Sequence, residues 1–272
     1  MTLHGNRKPK RRPMSLGHGL LHLASFAIVL ALYLPIITLI IFSFTAARYP
    51  FFPVREWSLK WYEALWTDHE FFEALTNSII VSGLASITAT AFGFFAAYSL
   101  TRSTFYGRSV LTAFMVVPLS VPLVLLALSL RVYFATFQVQ FNLVTVFLGH
   151  MVYMIPLSVL ILRGRFQGFP WSHEEAAFDL GAGRMRTLLE IVLPWMMPAV
   201  IGSILLNFTF SFDEFIIAWF LTNFEITLPI KIWTDLLMNY DPKVNVIGTI
   251  VFLLSVSVAF LAMFSLRNEN VS

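Results

Sequence analysis

Long apolar runs separated by short polar segments dominate the pattern of this chain. Six windows are long enough, at about 20 residues each, to cross a hydrocarbon core of about 30 Å as a helix. They are Leu20–Phe44, Ile79–Leu100, Val110–Leu130, Leu143–Leu162, Ile191–Phe212 running on toward Leu221, and Val244–Leu266. Helices are expected in all six, because an open strand edge leaves backbone polar groups unpaired in lipid. The pattern predicts an all-α polytopic membrane protein with six transmembrane helices.

Composition supports this class and excludes several others. Hydrophobic residues make up 58% of the chain and charged residues 12%, whereas soluble domains carry about 45–50% apolar and about 25% charged residues. This excludes a soluble single-domain enzyme, a disordered chain and a nucleic-acid-binding domain. The chain has no Cys, so disulfides and thiolate metal sites are excluded as well.

The distribution of charge predicts that both ends of the chain lie inside. Most of the 18 Lys and Arg residues fall in segments that an N-in, C-in chain of six helices places inside, while most acidic residues fall outside, as the positive-inside rule requires. In chain order, the predicted segments are a basic cytoplasmic tail (1–19), the first helix with an outer aromatic-rich loop (20–76), a core of five helices (77–266) containing an inner loop (163–193), and a short cytoplasmic tail (267–272).

The longest inner segment, residues 163–193, has an ordered pattern. Ser172 and Glu175 have the spacing of a capping box, in which each side chain bonds the backbone amide of the other residue. Gly181 is suited to the turn that ends a helix. The pattern therefore predicts a short helix that begins at Ser172 and must pack against other elements, since so short a helix is not stable alone.

The same segment contains Glu175-Ala176-Ala177, then three residues, Gly181, nine residues and Ile191-Val192-Leu193-Pro194. This pattern resembles the signature loop of the permease subunits of ABC-type importers, which is EAA, three residues, G, nine residues and I-x-L-P, and each spacing is kept. The resemblance extends from about Asn77 to the last helix. It implies a type I ABC importer permease fold, multi-pass in a bacterial inner membrane. It also implies that residues 163–193, the coupling loop, dock onto an ATPase subunit through Glu175, Ala176, Ala177 and Gly181. The alternative, an amphipathic helix lying on lipid, does not require the Gly, Ile and Pro spacing.

The chain contains no G-x-x-x-x-G-K-[ST] loop for nucleotide phosphates. The resemblance therefore implies a non-catalytic subunit with no cofactor or metal of its own, with ATP and Mg bound by a partner. The implied partners are a second homologous permease, two cytoplasmic ATPase subunits and an extracytoplasmic substrate-binding protein.

Asp213 and Glu214 form the only acidic pair within a hydrophobic stretch. A carboxylate at the centre of a membrane helix costs about 2.5–3.5 kcal/mol, so such a residue is a candidate for function. Ser203, Asn207, Ser211 and Glu214 recur at helical spacing and form one face, which we call the polar stripe. Two carboxylates in a water-filled cavity favour a cation. Alternatively, the pair marks the outer end of the helix or contacts a basic residue of a sister subunit.

Segments around this pair resemble the second permease subunit of the spermidine/putrescine permease subfamily. The matching segments are Ser211-Phe212-Asp213-Glu214, Leu228-Pro229-Ile230-Lys231-Ile232, Pro242-Lys243-Val244-Asn245 and Lys60-Trp61-Tyr62. The resemblance implies a polyamine or similar cationic amine as solute, with a path that passes Asp213, Glu214, Ser211 and Trp61.

One position departs from that subfamily. An acidic residue is expected after the proline of the third span, but Pro122 is followed by Leu123. The same importer type with another small solute, amino-acid-like or other, therefore stays open. An ion-coupled secondary transporter that uses the acidic pair is the alternative from a different class, and it is expected to show an internal repeat.

Overall fold

The computed structural model describes residues 16–238, 241–253 and 256–257, with side chains from residue 22 onward. The described part is mostly helical and contains no strand, only an isolated bridge between Thr45 and Trp57. In chain order the helices are α1 (Leu16–Ser43), α2 (Lys60–Trp66), α3 (His69–Arg102), α4 (Arg108–Ser120), α5 (Leu123–Thr136), α6 (Leu143–Phe166), α7 (Ser172–Asp179), α8 (Arg184–Thr187), a π-helical turn (Leu188–Val192), α9 (Leu193–Phe212), α10 (Ile216–Leu221), α11 (Leu228–Met238) and α12 (Lys243–Leu253).

Four of these helical segments are long and apolar enough to cross a membrane. They are His22–Ser43 within α1, the whole of α3, the whole of α6, and the run Arg184–Phe212 that ends with α9. The pair α4 and α5 is a fifth candidate, bent by 101°. These five correspond to the first five apolar windows of the sequence. The sixth window falls partly outside the described residues, and α12 covers its first part.

The prediction of a continuous third span is wrong. α4 ends at Ser120 and α5 begins at Leu123. Pro122 has no amide hydrogen for a helical hydrogen bond and disfavours helical geometry in the residue before it. Val121 accordingly has the extended angles φ −84° and ψ 130°, so the chain turns sharply between the two helices.

The continuation of the fifth span toward Leu221 is also wrong. α9 stops at Phe212, and α10 is a separate helix. The carboxylate of Glu214 accepts hydrogen bonds from the amides of Ile216 and Ile217, each at 2.8 Å, and of Ala218 at 3.2 Å. A side chain that satisfies the first amides of a helix favours the start of a new one at that point.

The segment predicted as an outer loop, residues 45–76, contains regular structure. It includes α2 and the first turns of α3, which begins at His69 rather than near Ile79. The side chain of Asp68 accepts a hydrogen bond from the amide of Phe71 at 3.1 Å. This N-cap fixes the start of α3 ahead of the apolar window.

The described residues divide into two compact units, and the larger comprises residues 68–238. In it, α3 packs against α6 and α9 through a face of small side chains that permits close approach. The buried small residues of that face are Ser78, Ser82, Ala85, Ser86, Ala89, Gly93 and Ala97. A Cβ added to Gly93 would lie 2.3 Å from the Cβ of Ser158, so α3 and α6 touch almost backbone to backbone there.

The smaller unit contains α1, α2 and α12. The hydroxyls of Ser43 and Tyr62 lie 2.8 Å apart, which links the end of α1 to α2. A Cβ added to Gly248 would lie 2.9 Å from Leu39 Cδ1. α1 therefore packs against both other helices of this unit.

Candidate functional site

The coupling loop forms one short helix, α7, between two turns. Its chain arrives from α6 through Pro170 and Trp171, and α7 runs from Ser172 to Asp179. Gly181 follows with φ +85°, a left-handed conformation that glycine adopts without steric cost and that commonly ends a helix. The predicted helix and its glycine stop are confirmed.

The predicted capping box is wrong. Trp171 holds the N-cap position, and no side chain bonds the first turn. The amides of Glu174 and Glu175 donate to the carbonyl oxygen of Trp171, at 3.0 and 3.2 Å. This places Ser172 inside the helix, one position too late for its hydroxyl to act as the cap.

α7 exposes one side and buries the other. Glu175 and Ala176 are exposed, whereas Glu174 and Ala177 are buried. The Glu174 carboxylate is fully buried and accepts a hydrogen bond from the hydroxyl of Tyr98 at 2.9 Å. Sequence reasoning missed Glu174 because its partner lies 76 positions earlier in the chain, and no local spacing indicates that contact.

The polar stripe is buried inside the unit, with three of its residues on one face of α9 and Glu214 just beyond the end of that helix. Its four residues are at most 8% exposed. Asn207 Nδ2 donates to the hydroxyl of Ser158 on α6 at 2.7 Å and to that of Thr90 on α3 at 3.2 Å. Thr90 also lies 3.2 Å from the Ser203 hydroxyl. The middle of the stripe thus joins three helices, because buried polar groups require partners.

His150 extends this network toward the acidic pair. Its Nδ1 shares a hydrogen bond of 2.7 Å with the Ser211 hydroxyl, and its Nε2 lies 3.5 Å from a Glu214 oxygen. The imidazole is 1% exposed, so this histidine acts as a hydrogen-bonded packing residue between α6 and α9. Among the described residues, no group of three or more His, Cys, Asp or Glu side chains could hold a metal ion.

The two carboxylates of the acidic pair have different surroundings. Glu214 is buried and engaged with backbone amides, whereas Asp213 is exposed at the end of α9. Close by in the chain, the ring of Phe215 contacts those of Trp219 at 5.5 Å and Trp233 at 5.3 Å between centroids. Asp213 is therefore the member of the pair that can meet a ligand directly.

Trp61 lies on α2, in the smaller unit, and is half-buried. The ammonium of Lys60 lies 4.6 Å from the centroid of its ring, which is within the range of a cation–π contact. Its indole Nε1 is buried and has no hydrogen-bond partner among the described residues. The face of the Trp61 ring is therefore in contact with the Lys60 ammonium.

Comparison with known proteins finds relatives that span most of the chain. Residues 89–268 match the family described as binding-protein-dependent transport system inner membrane component. The spermidine/putrescine transport system permease protein PotC of Escherichia coli (strain K12) is 31% identical over 246 residues, which cover 90% of this chain and 92% of PotC. The putrescine transport system permease protein PotI of the same strain is 30% identical over 241 residues, 86% of this chain and 85% of PotI.

The fold also has a counterpart among solved structures. A chain of a bacterial ABC transporter involved in the import of the acidic polysaccharide alginate superimposes with a TM-score of 0.71. The match covers 96% of this chain and 99% of that chain, at 18% sequence identity. The two chains therefore share a fold.

Proposed function

Because this chain belongs to the family of binding-protein-dependent transport system inner membrane components, we propose that it is the permease subunit of an ATP-driven importer for a polyamine or a similar cationic amine. As a member of that family it is a non-catalytic component of the inner membrane. The observation that carries the solute class is its similarity to PotC and PotI, at 31% and 30% identity over most of each chain.

In this proposal the importer contains a second homologous permease, two cytoplasmic ATPase subunits that bind ATP and Mg, and an extracytoplasmic substrate-binding protein. The family description, which names a binding protein, supports the last of these. The chain crosses the membrane six times with both ends inside, and the excess of Lys and Arg in the segments on that side supports this arrangement.

The coupling loop is proposed to dock onto an ATPase subunit. The exposure of Glu175 and Ala176 supports this role, as does the turn at Gly181 that ends α7. Replacing Glu175 with Ala is expected to reduce the amount of ATPase subunit that copurifies with the permease, without altering membrane insertion. The matched control is Asp179→Ala, which removes another exposed carboxylate from the same helix. Equal retention of the ATPase subunits by both variants would contradict the docking role.

The solute path is proposed to pass Asp213, with Ser211 and Glu214 holding the segment that carries it. The exposure of Asp213 and the partners of the other two side chains support this division. The place of Trp61 on this path stays a prediction from the resemblance to polyamine permeases, since the ammonium of Lys60 already lies 4.6 Å from the centroid of its ring.

The solute class is tested most simply on the cognate binding protein. A thermal-shift screen against polyamines, amino acids and other small amines is expected to show the largest stabilisation by spermidine or putrescine. Leu123 stands where an acidic residue is expected in polyamine permeases, and an alginate transporter shares the fold. Stabilisation by an unrelated small solute alone would therefore retain the importer and overturn the polyamine assignment.

A further inference from the structure

Glu174 is a second acidic feature of α7, and the docking role of Glu175 does not involve it. Its Oε2 accepts the Tyr98 hydroxyl at 2.9 Å and lies 3.7 Å from Arg102 Nε. Its Oε1 is buried without a hydrogen-bond partner among the described residues. A buried carboxylate is costly unless it is paired, so Glu174 depends on the last turns of α3 for compensation.

Aromatic contacts extend this attachment to the start of α7. The Arg102 guanidinium lies 5.3 Å from the centroid of the Trp171 ring. Trp171 is nearly parallel to Phe166, with centroids 6.2 Å apart and an angle of 9° between planes. Tyr98 lies 5.8 Å from the same Phe166 ring. The ends of α3 and α6 and the start of α7 therefore share one cluster.

We infer that Glu174 is a positioning residue that locks α7 to α3, so that a displacement of α7 moves α3 with it. This inference rests on the proposed function, since the displacement comes from ATPase subunits docked at Glu175. α3 is suited to transmit it, because its small-residue face packs against both α6 and α9. Adjacent glutamates thus have separate tasks: Glu175 binds the partner, and Glu174 passes its movement to the core.

The test compares Glu174→Gln and Tyr98→Phe with Asp179→Asn in the complete importer, reconstituted in liposomes with its binding protein. Tyr98→Phe removes one hydroxyl and keeps the ring against Phe166, so it tests the lock even if Glu174→Gln does not fold. Both variants are expected to retain the ATPase subunits but to transport about tenfold less solute per ATP hydrolysed, the scale of one charged hydrogen bond. Asp179→Asn is expected to behave as wild type, and the Tyr98→Phe, Glu174→Gln double variant to be no worse than either single variant.

Spin labels provide a measurement that does not depend on transport. The chain has no Cys, so Ser103→Cys and Leu180→Cys, both at exposed positions after α3 and α7, introduce its only two labelling sites. The locked helices are expected to give one narrow distance distribution with and without ATP. Glu174→Gln is expected to broaden it.

Two results for the variants would contradict the positioning role of Glu174. The first is that both Glu174→Gln and Tyr98→Phe transport as much solute per ATP as the wild type. The second is that Glu174→Gln loses the ATPase subunits, because Glu174 would then be a docking residue. If the wild-type complex does not hydrolyse ATP in response to loaded binding protein, the proposed function fails instead. The label distance separates the two cases, because an unchanged distribution in Glu174→Gln contradicts the lock whether or not ATP is used.

Discussion

Among the single residues, the neighbouring carboxylates of Asp213 and Glu214 have different surroundings. The Glu214 carboxylate accepts hydrogen bonds from three backbone amides at the start of α10. Asp213, one position earlier, is exposed. Within a membrane no water replaces a lost backbone partner, so each unsatisfied amide is costly. Glu214 therefore stabilises the fold, and Asp213 is the member of the pair that is proposed to attract a cation.

The division predicts opposite phenotypes for two conservative substitutions. Glu214→Gln is expected to destabilise the protein by about 1–3 kcal/mol. The glutamine side chain keeps only one acceptor oxygen, and its NH2 group would face backbone N–H groups that Glu214 now satisfies. Asp213→Asn is expected to change stability by less than about 0.5 kcal/mol, as for most surface substitutions, and to reduce uptake of a cationic amine. Thermal unfolding of the purified complex and uptake assays measure the two effects. Equal losses of stability in both variants would contradict the account.

Lys231 anchors α11 to the start of α3. Its ammonium donates to Glu70 at 2.8 Å and to Asp235 at 2.9 Å. Burial alone would lower the pKa of Lys231, but the hydrogen bonds and charges of these two carboxylates outweigh it and raise the pKa well above its usual value of 10.5. The ion pairs therefore persist through the physiological range.

This raised pKa predicts the pH dependence of a Lys231→Met variant. A group whose pKa is higher in the folded state contributes its full stabilisation below the unfolded pKa and loses it as the pH rises through the folded pKa. The variant is thus expected to unfold below the wild-type temperature by a constant gap from pH 7 to 9. This gap is expected to narrow only above pH 10.5, the usual pKa of lysine. A gap that closes near pH 8 would contradict the assignment.

At the scale of helices, the small-residue face of α3 sets how closely α6 can approach. Gly93 is the tightest point of contact between them, since an added Cβ would lie 2.3 Å from Ser158. Gly83, on the same helix, has no atom within 4 Å of such a Cβ. The two glycines therefore form a matched pair.

The pair predicts that the same substitution has different effects on stability at the two positions. Gly→Ala in a helix interior normally gains about 1 kcal/mol through helix propensity, so Gly83→Ala is expected to leave unfolding unchanged or slightly raise its temperature. Gly93→Ala is expected to cost about 1–3 kcal/mol net, the usual penalty of overpacking. Thermal unfolding of the two variants side by side measures this, and stabilisation by Gly93→Ala would show that α3 and α6 separate at no cost.

Hydropathy alone predicted where the apolar helices lie, because a spanning helix must be apolar over a length set by the bilayer. It did not predict their breaks. The turn before Pro122 follows from the backbone restriction that proline imposes on its neighbour, which a criterion based on length and hydropathy does not consider. The end of α9 depends on the backbone amides that Glu214 binds. The N-terminus of α3 was set by the Asp68 cap, a signal outside the apolar window.

Side-chain roles were predictable only where the partner is local or the motif is fixed. The helical spacing of Ser203, Asn207 and Ser211 indicated one shared face, which the structure confirms on α9, whereas Glu214 lies beyond the end of that helix. Its partners Thr90 and Ser158, and the pairing of Glu174 with Tyr98, join residues far apart in the chain. No periodicity within one segment encodes such contacts, so they emerge only from the packing of α3, α6 and α9.

At the scale of the whole molecule, the larger unit connects the coupling loop to the acidic pair through packed helices. α7 is attached to the last turns of α3 by Glu174, and α3 contacts α9 through the hydrogen bond between Thr90 and Asn207. Asp213 follows directly after α9. If α7 moves with the ATPase subunits as proposed, these contacts connect that movement to the segment that is proposed to meet the solute.

This chain is proposed to form the path of an ATP-driven importer for a cationic amine. The proposal is tested by the uptake of radiolabelled spermidine into liposomes that contain the permease pair and its ATPase subunits. The binding protein is added on the side of the membrane from which import begins. Uptake is expected to require both ATP and the binding protein, and to fall severalfold in Glu175→Ala. Uptake that persists without ATP or the ATPase subunits would contradict it and would make the chain a secondary transporter.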